Sequence, residues 1–465
     1  MFEKIRGFFM NILKYFHTQT VEEITGINTN ITSEMYRHIE LWADMAAGSA
    51  PWNNEAPACG ILPQIAGRLN YFVKREIGLE VKNETLEKPL KHLNKNVGRI
   101  VENIALRGAG LLRPIYAAGK LQYELLPLGN YLPTKYDFDG TLTGAIILKR
   151  MDEGKRDFIL AETHDFDGKN HAVTVKLYED KNGTLRETSL TSCGATADLT
   201  PFYVWEDCGR PMIVEFRSSV TNNIDGSNTP VALIDAAIEI IEKADEQFAR
   251  MDWEQEAGEK RVFADRDMFA DRKKKDGTVE KVINTKTLNR LVVKIDGDGT
   301  SEQKIHEYSP ELRTEAQEKY LQTIFKRIEQ TINLGKGTIS DAEQVQQTAT
   351  QYSGGRQELY AIVDDLEDEI AAKYADAAEV FAYMARAYKL AGAPRSDAGE
   401  LYTIKWNDDQ TRKDIQLAKQ TALQEISAGV MNKWEYRRDF YGEDEATAKA
   451  NVPPEPELAA PFGLA

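Results

Sequence analysis

The run Asp137-Phe138-Asp139-Gly140-Thr141-Leu142-Thr143 sets two carboxylates two positions apart, ahead of a glycine and two threonines. With that spacing one aspartate could attack phosphorus while the other carries a proton, both beside Mg²⁺, which is the chemistry of a Mg²⁺-dependent phosphatase. That chemistry needs the motif at the end of a buried strand. The preceding Tyr131-Leu132-Pro133-Thr134-Lys135-Tyr136 holds a proline and a lysine that a central parallel strand would not keep. A near copy, Asp165-Phe166-Asp167-Gly168, follows, and Asp-Gly recurs at Asp296-Gly297-Asp298-Gly299. Repeated Asp-Gly pairs between β-prone segments read as hairpin turns, so Asp137 and Asp139 are expected to shape a turn.

Other reactive patterns fall short in the same way. Counting from Asp296, Glu307 takes the last position of a calcium loop, but Ser301 stands where the sharp turn needs glycine. Gly335-Lys336-Gly337-Thr338 has the wrong order for a P-loop, so no ATP site is visible. The histidines, His17, His38, His92, His164, His171 and His306, form no HxH or HxxxH pair, and each reads as a solvated or core residue. Cys59, Cys193 and Cys208 are odd in number and lack a CxxC pair, which excludes a disulfide framework and a zinc knuckle and fits a reducing compartment. The expectation is a protein with no catalytic residues, no metal and no cofactor.

The chain has 465 residues, 42% hydrophobic and 28% charged, which excludes wholesale disorder. Its net charge of −16 argues against a protein that coats nucleic acid tightly, so any DNA contact is local or weak. Phe2, Ile5, Phe8, Phe9, Ile12, Leu13 and Phe16 share one helical face at the start. Asn11 and Lys14 interrupt the apolar run and no cleavage site follows, so it does not read as a signal peptide; of a membrane-surface helix and a helix packed on the protein or a neighbouring subunit, the second is expected. No stretch has the length of a bilayer span, and no stable membrane association is expected.

Periodicity supplies the elements. From Ser33 to Ile104 the spacing is helical, with Met35, Ile39, Trp42 and Met45 on one stripe after a cap at Thr32 or Ser33. From Leu111 to Phe216 short β-rich segments alternate with turns at Asp139-Gly140, Asp167-Gly168 and Asn182-Gly183, giving a mixed α+β lobe. After the turn-rich Asn222–Pro230 a long helix carries Val231, Ile234, Ile238, Ile241, Ala244, Phe248 and Met251 and stops at Gly258. An insert from Glu259 to Pro310 holds the charged Asp271–Gly277 and a strand-like Leu291–Ile295. A second helix with Ala316, Tyr320, Ile324, Ile328 and Ile332 stops at Gly335. Two long helices around a small insert make a stalk with a module at its tip. A loop rich in Gly, Thr, Ser and Gln then leads to the longest periodic run, Leu359 to Tyr388, about 45 Å if unbroken. Its acidic residues Asp364, Asp365, Glu367, Asp368 and Glu369 read as a solvated face. A strand at Leu401–Trp406, helices at Thr411–Ala428 and Lys433–Phe440, and a proline-rich tail complete the chain.

Four segments together resemble the portal proteins, or head-to-tail connectors, of long-tailed bacteriophages of Gram-positive bacteria. They are Ile31-Thr32-Ser33-Glu34-Met35-Tyr36 continuing to Trp52; the order lobe, helix, insert, helix, loop, very long helix; Gly335-Lys336-Gly337-Thr338-Ile339-Ser340 followed by Thr348-Ala349-Thr350; and Ile426-Ser427-Ala428-Gly429-Val430 with Tyr436-Arg437 and Tyr441-Gly442. The resemblance implies an α+β portal fold. Residues 1–225 and 351–452 would form the wing, 226–258 and 313–334 the stem, 259–312 the clip and 335–350 the tunnel loop, with 453–465 a tail. Gly354-Gly355 departs from the family pattern, and so little follows Pro453 that little or no crown is expected. The implied function is a ring of about twelve copies at one capsid vertex, assembled in the bacterial cytoplasm and carried in the virion. Double-stranded DNA would pass through it during packaging and ejection. Implied partners are the terminase large subunit, the head-completion adaptor, scaffold and major capsid protein. Lys336, Gly337, Thr338, Gln344, Gln346 and Gln347 would line the channel, and Arg272, Lys273, Lys274 and Lys275 would dock partners at the clip. The competing reading is another helical virion or scaffold protein without an axial channel.

Overall fold

Thr32 opens the first helix. Its hydroxyl accepts from the Met35 N–H at 3.1 Å, and α1 (Ser33–Ala46) buries Met35, Tyr36, Ile39, Trp42 and Met45 on one stripe. The computed structural model describes residues 21, 25–29, 31–154, 156–181, 184–258, 261–265, 270–282, 292–295, 305–308, 311–341, 357–394, 402–406, 415–441 and 443–452. The opening segment 1–20, the Asp296–Gly299 turn, Gly354-Gly355 and the tail after Val452 lie outside them. Helices α2 (Ile61–Glu76), α3 (Glu84–Lys95) and α4 (Val97–Arg107) follow α1. The helical run expected from Ser33 to Ile104 is broken by β1 (Ile77–Val81), which pairs antiparallel with β16 (Tyr402–Trp406). Its partner lies at the far end of the chain, where local periodicity cannot see it.

Two antiparallel sheets build the rest of the lobe. β2 (Ala109–Ala117), β3 (Lys120–Pro127) and β10 (Val214–Arg217) take the order β10-β2-β3. β4 (Tyr131–Tyr136), β5 (Leu142–Glu153), β6 (Arg156–Phe166), β7 (His171–Lys181) and β8 (Thr184–Thr188) form a meander, and β9 (Phe202–Trp205) pairs with β7. The Asp139-Gly140 and Asp167-Gly168 pairs sit in the turns after β4 and β6, as their composition predicts. Asn182-Gly183 lies outside the described residues, between strands that pair through Lys181 and Thr184. One contiguous core joins α1, α2, α3 and α4 to both sheets, with Trp42, Leu69, Tyr131 and Phe216 among its fully buried side chains.

The first long helix, α5 (Ile238–Ala257), starts later than its apolar spacing suggests. Val231, Ala232 and Ile234 are buried in the lobe, and a 3-10 turn at Asp235–Ala237 precedes the helix. The Asp235 carboxylate fixes that turn by accepting from Trp42 Nε1 at 2.9 Å and meeting His38 Nδ1 at 2.7 Å. Gly258 ends α5, and a Cβ there would run into Leu312. The second helix, α6 (Thr314–Thr331), returns antiparallel: Glu254 meets Arg313 and Gln317, and the 3-10 turn at the root of α5 reaches α6. Its buried stripe is Leu321, Ile324, Ile328 and Ile332; Ala316 and Tyr320, expected on it, are exposed. Between the helices β11 (Arg261–Asp265) runs parallel to β14 (Val292–Ile295) and antiparallel to β15 (Ile305–Tyr308), while β12 (Ala270–Lys273) and β13 (Val279–Val282) form a hairpin.

The longest helix, α7 (Gln357–Ala387), has 31 residues and spans about 46 Å. Leu359, Val363, Leu366, Ile370, Tyr374, Ala377, Phe381 and Met384 are buried against α2, α3, β2, β3 and β10. Two acidic residues expected on its solvated face turn inward. Glu367 is 5% exposed, and Glu369 accepts from the Arg217 N–H at 3.0 Å while burial raises its pKa. Helices α8 (Ile415–Ser427), α9 (Lys433–Tyr441) and α10 (Glu445–Ala450) end the described chain, the last capped by Asp444. The helix expected from Thr411 is described only from Ile415. Among the described residues no helix is long and apolar enough to cross a membrane.

Asp245, on α5, is 4% exposed and accepts from Trp52 Nε1 at 2.9 Å, Asn53 Nδ2 at 3.1 Å and the Cys59 N–H at 2.8 Å. Burial and this carboxylate push the adjacent Cys59 thiol up to about 12. Asp245→Ala strands three donors and is expected to cost about 2–4 kcal/mol, read as a lower melting midpoint. Asp252→Ala on the exposed side of α5 should leave the midpoint unchanged.

Candidate functional site

The chain leaving α6 is organised around one carboxylate. Asn333 takes a positive φ of 54°, and the Leu334 N–H bonds back to the Glu329 carbonyl at 2.8 Å, the bond of a Schellman C-terminus. The segment 335–341 then folds over the Glu329 side chain, which is 0% exposed. Glu329 Oε1 accepts from the N–H groups of Ile339 at 2.7 Å and Ser340 at 2.8 Å. Its Oε2 accepts from the Gly337 N–H at 3.1 Å and the Ser340 hydroxyl at 2.8 Å. Four donors on two oxygens satisfy the buried charge, the condition under which burial of a carboxylate is tolerable. Gly335 and Gly337 both sit at φ +75°, a left-handed conformation that lets three backbone N–H groups face one carboxylate. The Thr338 hydroxyl donates to the Leu334 carbonyl at 2.8 Å, and the Asp341 N–H donates to Gln322 Oε1 at 2.8 Å, tying the end of the turn back to α6.

Of the loop residues singled out from sequence, Lys336 is exposed, Gly337 holds the clasp and Thr338 is buried within it. Lys336 therefore presents one ammonium from a rigid turn, a point charge able to touch a phosphate without reading a base. Gln344, Gln346, Gln347 and the Thr348–Thr350 triplet lie outside the described residues. Glu329 itself escapes notice in the sequence because it stands in a polar helix surface. The signal that could have found it is the Gly-x-Gly-x-x-Ser turn just downstream.

The residues expected to dock partners, Arg272, Lys273, Lys274 and Lys275, fall at the β12–β13 hairpin. Arg272 and Lys273 end β12, with Arg272 opposite Glu280 and Lys273 opposite Val279 in the register. Lys273, Lys274 and Lys275 are exposed, and the turn is closed by Lys274 N–H to Thr278 O at 2.8 Å and by Asp276 Oδ1 accepting from Thr278. The lysines thus project from an ordered tip.

The paired aspartates do not meet the geometry of a phosphoryl-transfer site. β4, which precedes them, is antiparallel to β5, and Asp137 Oδ1 is taken by the N–H groups of Asp139 at 3.0 Å and Thr141 at 2.8 Å. Asp167 does the same for Lys169 and Asn170. Both are Asx turns. Among the described residues no group of three or more His, Cys, Asp or Glu side chains could hold a metal ion. No protein-family model matches the chain, and no curated protein matches it.

Glu329→Ala removes all four acceptor contacts at once. Amide exchange across 336–341 should then rise by at least about tenfold, which corresponds to about 1.4 kcal/mol per decade of lost protection. Unchanged exchange would mean that the turn is held by something other than this carboxylate.

Proposed function

We propose that the chain is a portal-type connector subunit, about twelve copies of which close into a ring around an axial channel for double-stranded DNA. The observation that carries this reading is the antiparallel pair α5 and α6, rooted in an α+β lobe, with a small β-rich module at its tip and a clasped turn leading toward the longest helix. In that arrangement the lobe with α7 is the wing, the helix pair the stem, and β11–β15 the clip. A stem needs lateral faces for its neighbours. Trp253 on α5 and Tyr320 on α6 are 68% and 52% exposed, large aromatic surface that one copy leaves uncovered. A head-to-tail interface of this kind closes into a ring when its rotation divides the circle.

Charge supports the same reading. A duplex that must slide cannot be held by many released counterions, and a net charge of −16 avoids that. Lys336 on its rigid turn supplies a local phosphate contact, and the exposed Lys273, Lys274 and Lys275 give the clip a cationic tip for the terminase large subunit and later the head-completion adaptor. The protein takes no catalytic step itself in this account; the packaging motor is a separate partner.

Because residues 337–340 satisfy Glu329, the deletion that isolates the loop begins beyond Asp341. Removing residues 342–347 is expected to leave ring assembly intact while heads built with the variant package or retain markedly less DNA. Packaging at the normal level by that variant would remove the loop from the mechanism.

A further inference from the structure

A buried polar chain lies where the β6–β7 hairpin meets the segment returning to β10. His164 and His171 are 1% and 0% exposed, and they share one face of the hairpin because His171 pairs opposite Phe166. The Met212 N–H donates to His171 Nδ1 at 3.2 Å, so neutral His171 carries its proton on Nε2. Nε2–H then donates to His164 Nδ1 at 2.9 Å, which leaves the His164 proton on Nε2, donating to Glu162 Oε1 at 2.8 Å. Arg113 closes the chain, with Nε on Glu162 Oε1 at 2.8 Å and a terminal nitrogen on Oε2. One tautomer pair satisfies every group, so the chain has a fixed polarity from Met212 to Glu162.

The surrounding groups set its response to acid. β2 contributes Arg113, β3 contributes Glu124 at 3.3 Å from Arg113, and β6 contributes Glu162. β9 brings Tyr203 and the Trp205 ring, 5.6 Å from His171. The 206–212 segment brings the Cys208 thiol, with Asp167 of the turn near it. Glu124 also meets Lys149 of β5 at 3.6 Å, so the carboxylate left to draw a proton to the imidazoles is Glu162, which His164 shares with Arg113.

That proton belongs on His164, which touches Glu162. Its Nδ1–H would then face His171 Nε2–H, two donors 2.9 Å apart. The conflict is relieved when His171 gives up its Nε2 proton and takes one on Nδ1, which now opposes the Met212 N–H. We propose that this chain is a proton-operated latch, in which protonation of His164 reverses the His171 tautomer and releases Met212. One proton enters from solvent onto His164 Nδ1, and the proton count on His171 is unchanged. What is released is the segment whose Arg210 ties the sheet to Asp376, at 3.1 Å, and Glu379 on α7.

The shifts agree in sign. Burial, with His164 beside it, pushes the His171 imidazole from 6.5 down to about 3, against the pull of Glu162. Burial would raise Glu162, but His164 and Arg113 outweigh it and leave the carboxyl at about 2. Both folded values lie below the unfolded ones, so the stability they supply is complete near neutrality and falls as pH drops toward about 3.

The test is hydrogen exchange of the peptide containing Met212 in the full chain, at about pH 7.5 and about pH 4.5, scaled for the intrinsic pH dependence of amide exchange. At least about a tenfold loss of protection at the lower pH is expected in the wild type and none in His164→Gln. Equal protection at both pH values in the wild type, or an equal loss in the variant, overturns the latch. Should His164→Gln fail to fold, the imidazole ¹⁵N shifts of the wild type decide. Conversion of His171 from the Nε2–H to the Nδ1–H form supports the proposal, and an unchanged tautomer overturns it. This outcome does not depend on whether the copies form rings.

Discussion

A carboxylate taken out of water must find donors, and three such groups shape the root of the antiparallel helix pair, two of them by bonds to the lobe. Asp235 sets where α5 begins, Asp245 binds its first turns to the segment around Trp52, and Glu329 gathers the chain leaving α6. Each is buried or nearly so and each is satisfied by N–H or O–H groups from another element. Removing the partner of such a charge costs more than the contact itself is worth, so the three sites act as fixed points. At the other end of the helix pair Glu254 bridges to Arg313 and Gln317 with Arg313 73% exposed, a contact that water and salt weaken. The helix pair is therefore firm at its root and more compliant at its tip.

That gradient gives the loop after α6 its mechanical setting. The clasp on Glu329 fixes the chain as far as Asp341, and α7 is anchored again from Leu359, 1% exposed.

Much of this was legible in the amino-acid order. The stripes of α1 and α7 and the Asp-Gly turns announce themselves because helical periodicity and turn chemistry are local. Helix α5 misled because Val231 and Ile234 keep helical spacing while a non-local bond from Trp42 to Asp235 holds them out of the helix. The stripe of α6 was misread at its start, with Ala316 and Tyr320 taken as core and Leu321 missed, since an aromatic at helical spacing looks like core whether or not a neighbour covers it. β1 was invisible for want of its distant partner, and Glu367 and Glu369 read as solvated because charge alone does not reveal which side of a long helix meets the lobe. Glu329 and the His164–His171 pair depend on a turn placed over a helix and on a hairpin register. Both become readable only after the turn residues have been assigned.

The central claim is that this chain closes into a ring around a channel. Imaging the purified protein by electron microscopy and counting copies in end views tests it most directly. The account predicts a closed ring of about twelve copies whose axial hole admits a DNA duplex, with the helix pair and its β-rich tip protruding along the axis. A closed particle without an axial channel, or an open chain of copies, would contradict it.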